Sequence, residues 1–339
     1  MVMTHVTDSW TRDADKHSEP YFTLLFVGGL ASTLFLFLAG VATAMSAASK
    51  GRRAGSHQAG AALARRRGWE IFGLGLVFRV QALVLGFAPV MNFFKVDMLN
   101  TMGLSIVAAS LVWQLAPNRR VRLGAFAVLT TAITMVTPLV RTVAWLAPLP
   151  DPLEAYFRPA GPFAAFPLFP WAGFLFGGVL IGDLVDAVRE SPRRHLILHA
   201  GISLIASTGV WLAWRASFLP ALFSTASFWH DSPTFFFIRL GVVALTVPAA
   251  WLIEQALPSG LLQPLVTLGR SSLFVYWIHV EMVYGVIAEP IKGQLPLWAT
   301  LVGTGLMTLL LYGLVLLKNR MLERYELRGP LRILAPVVR

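Results

Sequence analysis

The chain has 339 residues, of which 56% are hydrophobic and only 13% charged, against about 25% charged in a soluble domain. It contains no cysteine, which excludes disulfides, thiolate nucleophiles and Cys-ligated zinc, while 11 Trp and 23 Phe exceed what a soluble core of this size uses. The net charge of +11 does not point to nucleic acid, because the basic residues sit in short gaps between apolar runs.

A helix needs about 20 apolar residues to cross about 30 Å of hydrocarbon. Met1 to Trp10 (MVMTHVTDSW) is apolar but too short to cross, and it lacks the basic start, long apolar core and cleavage site of a signal peptide. It is expected to be the outer part of a first span truncated at Met1, the alternative being a short, partly inserted first helix. Further apolar runs follow at Tyr21 to Ala47, Ile71 to Ala88, Val96 to Leu115, Leu123 to Val140 and Phe163 to Ile181, then Leu196 to Trp214, Phe235 to Ile253, Val266 to Ala288 and Leu297 to Leu317. Short connections marked by Pro89, Pro117, Pro150, Pro152, Pro233, Pro264, Pro290 and Pro296 join them. None is long enough for a soluble domain. The expectation is an all-α fold: a polytopic transmembrane helix bundle of about 10 spans, with residues 1–339 forming a single integral membrane domain.

Lys and Arg set the orientation. With the gap Lys50 to Arg67 placed in the cytoplasm, Arg119, Arg120, Arg122, Arg189, Arg193, Arg194 and the tail from Lys318 to Arg339 also fall inside. Fewer fall outside, among them Arg12, Lys95, Arg141, Arg158 and Arg215. This predicts a multi-pass protein of a bacterial cytoplasmic (inner) membrane with a cytoplasmic C-terminus. The lipid bilayer is the expected partner and nucleic acid is not. The sequence leaves a homo-oligomer open.

An ionisable residue at membrane depth costs roughly 2.5–3.5 kcal/mol, so those retained there are functional candidates. His5 and Asp8 are spaced i, i+3 on one helical face; the plain alternative is a polar helix end. Arg79 sits in mid-span. Asp97, Asn100 and Thr101 form a polar face at the start of theirs, and Arg239 lies early in another. A pair of Arg79 or Arg239 with Asp97 is expected, because unpaired buried charge is costly. In the run Thr267 to Gly285, TLGRSSLFVYWIHVEMVYG, Ser272, Tyr276 and His279 fall at i, i+4, i+7 on one face. Read as one helix, it sets His279 roughly 20 Å from the cytoplasmic edge, in the outer half with His5. Glu281 lies off that face and suits a boundary role. His195 and His199 have ligand-like spacing but no carboxylate on their face, so no metal is expected.

Five stretches, in order, resemble the bacterial relatives of heparan-α-glucosaminide N-acetyltransferase, in the transmembrane acyltransferase superfamily. MVMTHVTDSW resembles the end of the family's first helix, and FLFLAGVATAMS its second. VDMLNTMGLS, FPLFPWAGFLFGGVLIG and LGRSSLFVYWIHVE resemble three later helices. Two departures stand out: the family's Arg-Gly motif at the start of helix one and the large lumenal domain of the animal enzyme are both absent, so that enzyme's glycan is not carried over.

The resemblance implies an acyl-CoA-dependent transmembrane acyltransferase. It would move an acyl group, acetyl from acetyl-CoA foremost, from the cytosolic side to a hydroxyl or amine of a sugar or envelope glycan at the outer half of the membrane. His5 is the implied catalytic base, with Asp8 fixing its tautomer and His279 as a further catalytic candidate. Arg79, Asp97, Asn100, Arg239, Arg270 and Ser271 are the candidate substrate- or cofactor-binding residues. Of these, Arg270, Ser271 and the neighbouring Ser272 suit coenzyme A phosphates or pantetheine at the cytoplasmic mouth. The competing class is a multi-span transporter or flippase without covalent chemistry; buried ion pairs suit it, and the lack of an internal repeat speaks against it.

Overall fold

The computed structural model describes residues 1–85 and 89–324. In chain order the helices are α1 (Val2–Trp10), α2 (Glu19–Arg53), α3 (His57–Leu85), α4 (Met98–Leu115), α5 (Arg119–Thr142) and α6 (Asp151–Glu154), followed by α7 (Leu168–Val188), α8 (Pro192–Ala216), α9 (Pro233–Ala256), α10 (Ser259–Arg270), α11 (Ser272–Tyr284) and α12 (Leu297–Arg324). The described residues contain no strand, only the isolated bridges Thr11–Leu295 and Val96–Ala164.

Seven helices, α2, α4, α5, α7, α8, α9 and α12, are long and apolar enough to cross a membrane. The protein is therefore multi-pass, but this is fewer than the ten spans expected, for local reasons. The run Val266 to Ala288 is not one helix: α10 stops at Arg270, Ser271 takes φ −105°, ψ 23°, and α11 restarts with only 13 residues. The depth estimate for His279, which assumed a straight span, does not survive that break. Helix α3 is 29 residues long but opens on a polar half and keeps Arg79 and Gln81 in its apolar half. Its expected end at Ala88 lies outside the described residues, as do Arg328, Arg332 and Arg339 of the basic tail. Helix α1 has nine residues.

The chain packs as two compact units. The first comprises Met1–Ala31, Val80–Pro89 and the residues from Ile253 on; the second comprises Ser32–Arg79 and Val90–Leu252. In the first, Val6 and Trp10 pack with Val283, Ala288, Met307 and Leu311. Gly303 leaves room for the Trp10 indole, whose ring carbon would lie 3.0 Å from a Cβ there. At the α10–α11 break, the buried Lys318 of α12 donates from Nζ to Ser271 Oγ at 2.8 Å.

In the second unit α2 and α7 approach backbone to backbone. A Cβ on Gly40 would collide with the Leu175 carbonyl, and one on Gly178 with the Phe37 carbonyl. Small residues of this kind let helices gain van der Waals contact where lipid offers no hydrophobic drive for association. At the end of α7, Asp183 is fully buried and takes a bidentate pair from Arg122 (2.8 and 3.0 Å) and a further bond from Arg119 at 3.0 Å. Asp186, one turn on, accepts from Arg52 at 2.8 Å and Arg119 at 3.0 Å. The Arg122 guanidinium also lies 4.0 Å over the Trp113 ring. These arginines read in sequence as orientation charges; the fold uses them to close α2, α5 and α7 together.

Candidate active site

Helices α1 and α11 lie side by side and parallel. His5 meets His279 and Ser9 meets Val283, two contacts one helical turn apart with the same sequence offset. Ser9 Oγ and Trp10 Nε1 both donate to the Val283 carbonyl, at 3.0 and 3.4 Å. That carbonyl is one of the orphan acceptors at a helix C-terminus, so α1 completes the end of α11. Docking by this rung sets the next rung, the histidine pair, in register.

The pair has defined tautomers. His279 Nδ1 is 2.6 Å from the Val275 carbonyl, which can only accept, so Nδ1 carries the proton and Nε2 the lone pair. His279 Nε2 is 2.9 Å from His5 Nδ1, which must then donate. The lone pair of His5 therefore resides on Nε2, an atom with no hydrogen-bond partner among the described residues and not among the buried ones. The rings stack at 5.0 Å between centroids, 12° from parallel. His279 is buried and His5 half-buried. The result is a chain from Val275 through His279 to one open imidazole nitrogen, the arrangement a general base needs.

Asp8 does not orient His5 as expected from their spacing. Its Oδ2 accepts instead from Tyr284 Oη at 2.8 Å, and the Tyr284 ring stands edge-on to His5 with centroids 5.5 Å apart. The orienting role expected of Asp8 falls to His279. Tyr284 and Ser9 were missed in the sequence; Ser9 follows His5 at i+4 and shares its face, a signal that was present, whereas Tyr284 lies at i+5 from His279 and off its face. Of the polar face read on α11, Tyr276 and His279 are buried but Ser272 is exposed.

Around the α10–α11 break, Arg270 is exposed and forms no ion pair among the described residues. Ser271 is buried and its Oγ accepts from Lys318 Nζ, whereas Arg270 and Ser272 are exposed. Lys318 was read only as an orientation charge.

The other candidates belong to the second unit. Arg79 pairs with Asp97 at 3.1 Å, both largely buried. Asp97 Oδ1 caps α4 by accepting from Leu99 and Asn100 N–H groups, and the Asn100 side chain accepts from the Asp97 N–H in return. Of the two arginines expected for Asp97, Arg79 makes this pair, and the Arg239 guanidinium lies 5.0 Å over the Phe235 ring and 5.9 Å over Trp171. His195 and His199 stack on each other, and the described residues contain no group of three metal-ligating side chains.

A sequence model of the family described as heparan-alpha-glucosaminide N-acetyltransferase, catalytic, matches residues 1–209, which include His5. No curated protein and no solved structure matches the chain. The match spans more than half of the chain, and its first helix is the one that carries the open imidazole. The chain belongs to the heparan-alpha-glucosaminide N-acetyltransferase family, as a multi-pass membrane protein of the transferase class.

Proposed function

We propose that the protein is a membrane acetyltransferase that takes its acyl group from acetyl-CoA and delivers it to a hydroxyl or amine of a sugar or envelope glycan. The observation that carries this reading is the open Nε2 of His5, backed through Nδ1 by His279. His5 Nε2 accepts the acceptor proton as the nucleophile attacks the thioester carbonyl, and returns it to the departing sulfur. His279 accepts a stronger hydrogen bond from His5 Nδ1 as positive charge builds on the His5 ring, which supports the base during attack. Arg270 and Ser272 are the residues suited to the donor's phosphates. The setting is a bacterial inner membrane, with the acceptor at the outer half, the C-terminus cytoplasmic and residues 1–339 acting as one membrane domain.

The test is acetyl transfer from labelled acetyl-CoA by purified protein in vesicles, with Arg270→Ala beside wild type. Arg270→Ala is expected to raise KM for the donor more than it lowers kcat, because a phosphate contact far from the thioester contributes uniform binding. If wild-type protein neither hydrolyses nor exchanges acetyl-CoA, the enzyme reading is lost.

A further inference from the structure

A large apolar cavity of about 1170 Å³ lies wholly within the second unit, walled chiefly by α5, α7, α8, α9 and the connection from α8 to α9. None of its lining residues is ionisable. Its four main walls are helices able to cross a membrane, where hydrocarbon and not water is the solvent. The volume exceeds the roughly 300–1,000 Å³ of drug-sized pockets and so has room for long chains.

Glycine marks one wall. Gly177 and Gly241 serve packing, since a Cβ there would fall 2.8 Å from Leu240 and 2.5 Å from Val210. Gly201 and Gly209 of α8 also line the cavity, yet a Cβ on either would meet nothing within 4 Å among the described residues. Glycine inside a helix costs stability relative to alanine, and no neighbour in the chain calls for it here. A hydrocarbon chain laid against α8 does.

One end of the cavity is polar. Ser217 and Ser232 line it there, at the end of α8 and the start of α9. Thr130 belongs to the same end: a Cβ on Gly173 would lie 2.8 Å from the Phe236 ring, in the first turn of α9, and 3.6 Å from the Thr130 carbonyl. Thr130 lines the cavity, is 4% exposed, and its Oγ1 has no hydrogen-bond partner among the described residues. A buried hydroxyl left in this way is costly unless an occupant supplies an acceptor. In the last turn of α8, between the lining residues Ala213 and Ala216, Arg215 is exposed and forms no ion pair among the described residues. At the other end of α8 the lining stops at Ile197, short of Arg193 and Arg194. An apolar body, a buried donor at one end and a cation beside it complement the chains, ester oxygens and phosphate of a phospholipid.

We propose that this cavity binds an anionic glycerophospholipid, with its acyl chains along Gly201 and Gly209, an ester oxygen at Thr130 and its phosphate at Arg215. The proposal does not depend on the acetyltransferase reading.

The experiment strips full-length protein of lipid in detergent and titrates it with phosphatidylglycerol, reading bound lipid by native mass spectrometry and stability by thermal midpoint. Wild type should bind one phosphatidylglycerol tightly and saturably, with a rise in midpoint. Gly209→Leu, which fills the open space beside α8, should abolish that binding while the protein stays folded. If it does not fold, Gly201→Leu takes its place with the same loss expected. Arg215→Gln should weaken binding about tenfold, as loss of a hydrogen bond to a charged group does, and Thr130→Val by less. Gly305→Leu, at an open glycine of α12 outside the cavity, should match wild type. No saturable binding by wild type, or binding unchanged in Gly209→Leu or in Arg215→Gln, overturns the proposal. So does a lipid-free dimer in which a second copy covers the cavity, or equal affinity for an uncharged diacylglycerol.

Discussion

His279 donates its Nδ1 proton to the Val275 carbonyl and so meets His5 with a bare Nε2 at 2.9 Å. A helix backbone thereby sets the protonation pattern of a side chain on another helix. Removing the base and removing its support should differ in degree. His5→Ala is expected to lower kcat by about 10²–10⁴-fold. His279→Ala should cost less, and His279→Gln, whose amide oxygen can still accept from His5 Nδ1, should cost least. Near wild-type transfer by His5→Ala would remove His5 from the chemistry.

Asp8 and Tyr284 act as one unit through their 2.8 Å bond. Asp8→Asn and Tyr284→Phe should therefore give similar, modest losses, and the double variant should be no worse than either single one. Additive losses in that cycle would place Asp8 on His5 itself.

The Arg79–Asp97 pair is buried and also caps α4. Removing one partner of a buried pair costs about 3–5 kcal/mol. Asp97→Ala should lower the thermal midpoint sharply, with little change in KM for acetyl-CoA in the protein that remains folded. A raised KM at unchanged midpoint would give the pair to ligand binding.

Asp15, outside the spans, accepts at 2.8 Å from the first N–H of α12. That bond, reinforced by Arg12, holds its carboxyl below the usual range. A lowered pKa means the contribution is fully present above the ordinary Asp value of about 3.9 and is lost as pH falls through the lowered value. The midpoint difference between wild type and Asp15→Asn should be constant near neutrality and close only below about pH 4. A difference that shrank at higher pH would count against this link.

Gly178 sits where a Cβ would strike the Phe37 carbonyl. Gly178→Val should destabilise α2 against α7 by at least the 1–3 kcal/mol typical of overpacking, about that or more. Gly209, with open space beside it, should tolerate Ala. Thermal midpoints of the two variants in one detergent decide this.

The apolar runs made most helices legible, because a span must satisfy its backbone internally whatever its neighbours are. The sequence also singled out His5 and His279, which the structure brings within 2.9 Å, and offered Arg79 or Arg239 as the partner of Asp97, of which Arg79 makes the contact. Partner choice was not legible. Asp8 shares a face with His5, yet docking α1 on the end of α11 turns the carboxylate to Tyr284, and no periodicity records that. The break at Ser271 was equally hidden. Its apolar flanks read as continuous, while the side chain that joins it, Lys318, comes from another helix.

The clasp at the end of α7 carries a consequence for assembly order. Arg52 and Arg122 belong to helices made before α7, and Arg122 is almost fully enclosed in the finished protein. Until Asp183 emerges from the ribosome, Arg122 has no carboxylate to meet, and a lone guanidinium is costly away from water. This end of α5 is therefore expected to close only once α7 has been delivered. A nascent chain halted before Asp183 should stay open at this end and be cut there by protease, whereas one released beyond Asp186 should be protected.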